Sequence, residues 1–413
     1  MPTTKRIAIL TGGGDVPGLN MCLKSLVYRT IDLGFEPIGV RKGWEGFINY
    51  DYHNPSTYSE QFIELTKNMM RPIDRSPGSF LHSSRLDPRQ TPRHRVPEFL
   101  LDLTKDTQDL TDHVKTVFEK LGYQAMIVIG DDDTLHYAAY LSQIGLPIIA
   151  IPKTIHNNIH GTDYTLGFST GLARGVAFIH ELRALAGSRE QTVVVETFAA
   201  KSGYSTLLMA FLAGVDRVLI PEISYDPERL ALLITQDKRQ TPANYAVVLV
   251  CDGAQPTPEK AEKYARLISL EETTISEGTM PAEIISSEKQ PSGRTPLTRR
   301  KLVGSGMVAA RLLSYITGEE IFLQPLTYLL RTGVPDGQDL LGAMNFATGA
   351  ARLVAEGHYG RMMAFVKNKM WTDIDLQIAI EGVKTVDVEN SYDSETYTPK
   401  LSLIWAVENP KEP

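Results

Sequence analysis

Seven short apolar runs, separated by helical patterns, constrain the fold of this chain more than any other feature. The runs are continuous rather than alternating, which is typical of strands that other elements cover on both faces. They occupy residues 7–10, 125–129, 147–151, 192–195, 217–220, 245–251 and 362–366. Helical patterns lie between them at residues 20–32, 135–144, 171–186, 205–213, 258–270 and 337–356. This alternation predicts doubly wound α/β domains with parallel sheets.

Length and charge narrow the class of protein further. The 413 residues exceed what one hydrophobic core usually supports, so we expect two domains. A net charge of −7 at pH 7 argues against a nucleic-acid or anionic-membrane binder, which needs a basic face. No apolar run approaches the roughly 18 residues of a membrane span, and no signal region precedes the first strand. Because Cys22 and Cys251 form no disulfide or metal pattern, we expect a cytoplasmic protein.

A glycine-rich turn at residues 11–20 follows the first predicted strand and precedes a helical pattern. Gly13 and Gly14 allow a phosphate to approach backbone N–H groups at the start of a helix. The pattern is neither a Walker loop nor a dinucleotide fingerprint, and a dinucleotide oxidoreductase is therefore disfavoured. A tight structural turn would explain the same residues. The function of this segment depends on the motifs that follow.

Three adjacent aspartates, Asp131, Asp132 and Asp133, end the second run and are followed by Thr134. Adjacent acids repel one another unless a cation binds, and Mg²⁺ prefers one or two carboxylates with bridging phosphate oxygens. The alternative is a helix N-terminus decorated with acids, with Asp133 or Thr134 as the cap. Three acids exceed what a cap requires. We therefore predict a metal site at these aspartates.

Polar side chains also follow the third run, where Lys153, Thr154, His156 and Asn158 lie within six residues. Open α/β sheets bind ligands at the carboxyl ends of their strands, so this segment is a candidate site. Two loops are rich in arginine. Residues 71–95 are predicted to form a long ordered loop that crosses a cleft, and residues 291–300 a solvated basic loop.

Together these motifs resemble the phosphofructokinase family, and most of all its pyrophosphate-dependent group. The matches follow the family's order along almost the whole chain, at residues 11–20, 78–85, 130–134, 152–158, 219–222, 252–254 and 328–335, with Asp339. The resemblance implies two Rossmann-like α/β domains with the active site in the cleft between them. It implies a donor domain of residues 1–167 plus about 330–372, and a sugar-phosphate domain of residues 168–329 plus about 373–413.

The resemblance also implies a role for each matched residue. It places pyrophosphate against Gly13, Gly14, Arg85, Asp133, Thr134 and Lys153, and Mg²⁺ on Asp132. It places a sugar phosphate, by default fructose 6-phosphate, against Thr154, Asn158, Phe198, Asp252, Tyr328 and Arg331. His156, Lys153 and Thr154 form the implied catalytic group. Because the family builds part of each pocket from a neighbouring subunit, we expect a homodimer or homotetramer, or an assembly with a paralogue.

Asp133 and Lys153 favour pyrophosphate over ATP as the donor. ATP-using members usually have glycine at both positions, whereas the pyrophosphate group has aspartate and lysine. A side chain at Asp133 occupies space that a nucleotide α-phosphate would need. Lys153 can hold a compact polyanion as a point charge.

Several substitutions depart from the family pattern, mainly on the acceptor side. His156 stands in place of the catalytic aspartate, Asn158 in place of a second aspartate, and Asp131 in place of a glycine. Ala199-Ala200 replace Gly-Arg, and Gln191 stands where the family often has an arginine. A neutral histidine can act as a base, although adjacent carboxylates are expected to raise its pKa and favour the charged form.

Two hypotheses follow from these substitutions. The first is a phosphotransferase that uses pyrophosphate and Mg²⁺, with an altered acceptor and His156 as the base. The second is a homologue that binds phosphorylated ligands, or an active paralogue, without turnover. Catalysis with pyrophosphate and a panel of sugar phosphates would separate them.

Overall fold

The computed structural model describes residues 5–240, 242–268, 304–367 and 369–400. Its strands are β1 (Lys5–Thr11), β2 (Phe35–Val40), β3 (Phe62–Glu64), β4 (Thr91–Pro92), β5 (Thr107–Gln108), β6 (Tyr123–Gly130), β7 (Ile148–Pro152), β8 (Thr192–Thr197), β9 (Arg217–Leu219), β10 (Ala246–Cys251), β11 (Ile321–Pro325), β12 (Arg361–Val366), β13 (Met370–Asp375), β14 (Tyr392–Asp393) and β15 (Thr398–Pro399). The basic loop predicted at residues 291–300 lies outside the described residues.

The α-helices alternate with these strands along the chain. They are α1 (Leu19–Asp32), α2 (Trp44–Ile48), α3 (Tyr58–Gln61), α4 (Lys67–Met70), α5 (Thr111–Lys120), α6 (Asp132–Gln143), α7 (Phe168–Arg189), α8 (Tyr204–Ala213), α9 (Pro227–Gln240), α10 (Pro258–Lys263), α11 (Ala265–Ile268), α12 (Ser305–Thr317), α13 (Gly337–Glu356) and α14 (Val388–Ser391). Among the described residues, no helix is both long enough and apolar enough to span a bilayer.

The larger sheet has seven strands in the order β13-β12-β7-β6-β1-β2-β3. Its five central strands are parallel, and the two edge strands β3 and β13 are antiparallel to their neighbours. Successive residues of β1 face opposite cores, since Ile7 and Ile9 pack with α1 and α13 whereas Ala8 and Leu10 pack with α2, α5 and α6. Burial on both faces explains why the central strands are continuous apolar runs.

The smaller sheet is entirely parallel, with the order β11-β8-β10-β9. Helices α7 and α8 contact each other and pack on this sheet, and α9 and α12 form a second contacting pair. Each apolar residue of β10 is fully buried. The two sheets confirm the predicted doubly wound α/β class.

All seven predicted strands are present, and most boundaries agree within two residues. The sequence patterns missed β2, β3, β11 and β13 of the two large sheets, and the helices α5, α9 and α12. Strand β2 contains Pro37 and Gly39, and the edge strands β11 and β13 are only partly buried. The helix predicted at residues 258–270 is divided into α10 and α11, and α6 begins at Asp132 rather than Leu135. The larger sheet uses residues 5–152 and 361–375 and the smaller sheet residues 192–325, whereas the finer domain borders stay a prediction.

A buried carboxylate, Asp339, joins α13 to the start of α7. It accepts hydrogen bonds from the backbone N–H groups of Gly167 at 2.7 Å and Thr170 at 2.8 Å, and from the hydroxyl of Tyr164. The Asp339 side chain has no exposed surface, and burial raises its pKa. Because this carboxylate is fully buried, water cannot replace it as the acceptor for the three donors. The packing of α7 against α13 therefore depends on Asp339.

We expect Asp339→Ala to destabilise the fold strongly, because it leaves three buried donors without their acceptor. At about 1–3 kcal/mol for each unsatisfied group, the free energy of unfolding should fall by at least about 3 kcal/mol in urea titrations. Glu356→Ala is the matched control on the same helix, since Glu356 forms an exposed pair with Arg352. Equal urea midpoints for the two variants would contradict the role given to Asp339.

Candidate functional site

The strands of both sheets direct their carboxyl ends towards one open cleft of about 1130 Å³. In the larger sheet β1 and β6 are neighbours, but the chain continues from them to opposite sides, towards β2 and β7. Strands β8 and β10 form the equivalent point of the smaller sheet. Open α/β sheets bind ligands at such points, so the fold itself favours a ligand site here.

The cleft brings together nearly all of the predicted site residues: Gly13, Gly14, Arg85, Asp132, Asp133, Lys153, Thr154, His156, Asn158, Phe198, Asp252, Tyr328 and Arg331. Thr134 is the exception. It is 3% exposed, lies under the glycine turn, and its hydroxyl donates to Asp131 Oδ1 at 2.9 Å. Glu222 also lies away from the cleft lining and accepts backbone hydrogen bonds from Gly203 and Val386.

The predicted loop at residues 71–95 does border the cleft. Ser79, His82, Ser83, Ser84, Arg85 and Arg95 of this segment line it. The segment contains three short 3₁₀ turns and β4, so it is ordered by local hydrogen bonds rather than by a long helix or strand.

The carboxylate of Asp131 occupies the glycine turn. Oδ2 accepts from the Gly14 N–H at 3.3 Å, and Oδ1 accepts from the Thr134 N–H at 3.4 Å. A Cβ added at Gly13 would lie only 2.0–2.2 Å from this carboxylate, and Gly13 has a φ of +80°. Asp131 is thus the N-cap of α6, which corrects the expectation that Asp133 or Thr134 caps this helix.

Lys153 lies beside the same turn and is 1% exposed. Its ammonium donates to the Gly14 carbonyl at 2.5 Å. Burial lowers the pKa of Lys153 to about 8, while Asp131 acts in the opposite direction. Burial alone would raise the pKa of Asp131, but Lys153, Thr134, Arg85 and the Gly14 N–H together hold it below its ordinary value. The two groups therefore stabilise each other's charge.

The other two aspartates are neutralised from the opposite wall. The ammonium of Lys201, which follows β8, lies 3.1 Å from Asp132 Oδ2 and 3.7 Å from Asp133 Oδ1. Burial and the neighbouring Asp132 raise the pKa of Asp133. Asp132 and Asp133 therefore have a cationic partner within the chain, which the prediction of a metal site did not take into account. Within the described ranges, no cluster of three or more Asp, Glu, His or Cys side chains could hold a metal.

His156 faces an arginine rather than a carboxylate. Its Nε2 accepts a hydrogen bond from Arg331 Nη2 at 3.4 Å, which assigns the ring proton to Nδ1. Burial, and next the charge of Arg331, lower the pKa of His156 to about 3, although Asp131 acts in the opposite direction. The carboxylate of Asp131 does act in the expected direction, but burial and Arg331 outweigh it, so the expected preference for the charged form is wrong. The imidazole is neutral at pH 7.

Arg331 connects the two walls of the cleft. It extends from the 3₁₀ turn Thr327–Arg331, and its guanidinium lies 4.8 Å from the ring centroid of Phe198. A Cβ at Gly14 would lie 2.1 Å from Arg331 Nη1 and 3.1 Å from Arg85 Nη2, so both guanidinium groups reach the glycine turn. The charge of Arg85 contributes to a lowered pKa of Arg331, after the larger effect of burial.

The wall formed by the smaller sheet is only moderately polar. Asp252 accepts from the Ala199 N–H at 2.6 Å, and Tyr328 packs edge-on against Phe198 at 5.1 Å. Burial raises the pKa of Asp252. On the other side of the cleft, the buried Oδ1 of Asn158 has no hydrogen-bond partner within the part of the chain that the structure describes.

The sequence patterns missed a further segment of the cleft, the loop after β2. Lys42 and Glu45 line the cleft, and Glu45 accepts from the Ser84 hydroxyl at 2.6 Å and pairs with Arg95 at 3.3 Å. Lys42 and Glu45 were missed because the strand before them, β2, was not predicted. Because β2 lies parallel to β1, its carboxyl end falls at the same edge of the sheet.

Comparison with known proteins gives one family. A phosphofructokinase profile matches residues 6–354. The pyrophosphate–fructose 6-phosphate 1-phosphotransferase of Dictyoglomus thermophilum is 32% identical over 387 residues, which cover 94% of this chain and 96% of the relative. ATP-dependent 6-phosphofructokinase 3 of Streptomyces coelicolor is 29% identical over 385 residues, which cover 92% and 96%. The crystal structure of pyrophosphate-dependent phosphofructokinase from Marinobacter aquaeolei has a TM-score of 0.71 at 14% identity, covering 96% of this chain and 89% of that one, a likeness of fold.

We expect the imidazole of His156 to remain neutral from about pH 5 to about pH 8, unlike an unperturbed histidine. Ring ¹⁵N chemical shifts, assigned by the loss of signals in His156→Ala, measure this directly. Arg331→Met should raise the pKa of His156, because it removes the charge that lowers it most after burial. A titration midpoint near neutral pH in the unmodified protein would show that the described contacts do not govern the ring.

Proposed function

This chain belongs to the phosphofructokinase family, and we propose that it transfers a phosphoryl group from pyrophosphate to a hydroxyl of a sugar phosphate. The observation that supports transfer best is the neutral imidazole of His156, which lines the cleft together with Lys153 and Arg331. Phosphoryl transfer requires an aligned acceptor, charge neutralisation and a proton acceptor rather than covalent help from the protein.

His156 has the basicity that such a step needs. A neutral imidazole whose conjugate acid has a pKa of about 3 is comparable as a base to an ordinary aspartate. The acceptor hydroxyl would give its proton to Nε2 while its oxygen forms the new P–O bond and the bridging P–O bond of pyrophosphate breaks, releasing phosphate. Arg331 must first leave Nε2, and a phosphate of the bound substrate would be its new partner.

Residues at the donor side favour pyrophosphate. Arg85 and the buried Lys153 supply positive charge close to the glycine turn. The Asp133 side chain is 56% exposed at the cleft and would occupy space that the α-phosphate of a nucleotide needs. Since relatives named for pyrophosphate and for ATP both match, the family alone leaves the donor open, and these three side chains support the choice made here.

Asp132 and Asp133 would hold Mg²⁺. Their carboxylates lie at the cleft and already attract a cation, the ammonium of Lys201. Because Lys201 is 60% exposed, this ion pair contributes at most about 1 kcal/mol and can be exchanged. Two carboxylates suit Mg²⁺, which completes its shell with water and substrate phosphate oxygens. When bound, the ion would neutralise charge on the transferred phosphoryl group.

A second candidate function is the binding of a phosphorylated ligand without turnover. The specific observation that favours it is Asp131, whose carboxylate accepts a hydrogen bond from the Gly14 N–H of the glycine turn and another from the Thr134 N–H of α6. In addition, Ala199 and Ala200 present no charge to the cleft. Among the described residues, acidic and basic side chains line the cleft in equal number, so the lining as a whole carries no excess of positive charge. The acidic ones are Asp15, Glu45, Asp131, Asp132, Asp133 and Asp252.

Turnover separates the two candidates. Pyrophosphate, Mg²⁺ and a panel of sugar monophosphates that includes fructose 6-phosphate should yield a phosphorylated product. His156→Ala should reduce kcat by about 10²–10⁴-fold and change the Kd for pyrophosphate little, because a base contributes to transfer rather than to donor binding. His160→Ala, an exposed histidine four residues away, is the control. Pyrophosphate binding without any turnover would select the second candidate.

Pyrophosphate affinity should depend on the charge of Lys153. The buried ammonium is protonated below its pKa of about 8, so affinity should be full at lower pH and decline as the pH rises through that value. Lys153→Arg keeps its charge at high pH and should show no such decline. Calorimetric Kd ratios between the two proteins cancel the ionisation of pyrophosphate itself. A ratio that stays constant up to about pH 9.5 would contradict this assignment.

A further inference from the structure

The glycine turn already contains an anion, and that anion belongs to the chain. Glycine-rich turns that open a helix bind phosphates through backbone N–H groups and the positive end of the helix. Here the Gly14 N–H and the Thr134 N–H both donate to the carboxylate of Asp131. Since Asp131 is 8% exposed, these donors are shielded from the cleft.

The space above Gly13 is filled by the same carboxylate. A Cβ at Gly13 would meet both carboxylate oxygens within 2.2 Å, so no phosphate oxygen can approach that backbone while Asp131 keeps its position. Lys153 also interacts electrostatically with Asp131, which reduces the charge available to a ligand. A carboxylate therefore takes the position that one phosphate group would occupy.

The adjoining position is lined by Arg85 and Arg331, which both reach the Gly14 side of the turn. The charge of Asp131 acts on both arginines, but among the described residues no carboxylate lies close enough to either to form an ion pair. Two guanidinium groups in proximity repel each other, and a phosphate between them would relieve this repulsion. The cleft thus offers one open anion position next to one that is filled.

We propose that Asp131 determines ligand specificity as a tethered competitor for phosphate, so that the resting cleft accepts one phosphate group at Arg85 and Arg331, and a diphosphate must displace the carboxylate. This inference rests on the proposed function in one respect, since the proposed donor is a diphosphate. Displacement is a local event, because rotation of one side chain would free the turn. Thr134, which donates to Asp131 through both its N–H and its hydroxyl, opposes that rotation.

The test compares an Asp131 variant that loses both the charge and the volume of the side chain, one that loses only the charge, and a control that leaves Asp131 unchanged. Asp131→Gly vacates the turn and retains an acceptable N-cap residue, whereas Asp131→Asn keeps the cap and removes only the charge. Glu45→Gln is the matched control, since Glu45 lines the same cleft but pairs with Arg95 rather than with the groups around the turn. Binding of pyrophosphate and of inorganic phosphate is measured calorimetrically at fixed pH without Mg²⁺, and urea midpoints verify folding.

We expect Asp131→Gly to tighten pyrophosphate binding by at least about 10-fold, Asp131→Asn by less, and Glu45→Gln by less than about 3-fold. Inorganic phosphate should bind at one position in the unmodified protein and at two in Asp131→Gly. An unchanged Kd for pyrophosphate in folded Asp131→Gly and Asp131→Asn would overturn the proposal, as would equal tightening in Glu45→Gln.

The outcome is independent of catalysis. If Asp131→Gly gains affinity but no protein phosphorylates an acceptor, the competition is supported and the proposed transfer fails. If the unmodified protein catalyses transfer and Asp131→Gly shows no gain in affinity, the transfer is supported and the competition fails.

Discussion

The interaction between Asp131 and its surroundings organises the donor side of the cleft. The carboxylate caps α6, accepts a hydrogen bond from the turn after β1, and supports the charge of Lys153, which follows β7. Lys153 in turn donates to the Gly14 carbonyl. Because a buried charge is costly without a partner, these contacts hold three strand ends in one arrangement. Removing either charge would remove the largest favourable electrostatic effect on the other buried group.

Charge pairing also explains why the altered residues of the cleft form a consistent set. A second carboxylate near Arg331 would be expected to take its hydrogen bond, but the residue there is His156, whose neutral Nε2 accepts it. Burial and the two arginines keep the ring unprotonated, so a base is present without a further negative charge. Lys201 supplies the compensating cation for Asp132 and Asp133 from the opposite wall. Both candidate functions remain compatible with this arrangement, and they differ in whether ligands displace these internal pairs.

The sequence patterns predicted most of the central strands and half of the described α-helices, because strands that are buried along their whole length consist of apolar residues. They missed β2, whose Pro37 and Gly39 interrupt the apolar run, and with it the cleft residues Lys42 and Glu45. The candidate site could be predicted because its polar residues directly follow buried strands. Polar residues at the ends of buried parallel strands must share one edge of a sheet, and the family resemblance then associated each of them with a ligand.

The sequence by itself determined the α/β class and the order of the motifs, since these depend on local periodicity and strand direction. The family resemblance added most of the side chains that meet in the cleft, without Lys42 and Glu45. Only the tertiary structure determined which charged and polar groups lie close to one another. It placed Asp131 in the glycine turn, Lys201 on the opposite wall against Asp132, and Arg331 on His156, all between residues distant in the chain. Electrostatic energies depend on separation and burial, and neither quantity can be read from residue order.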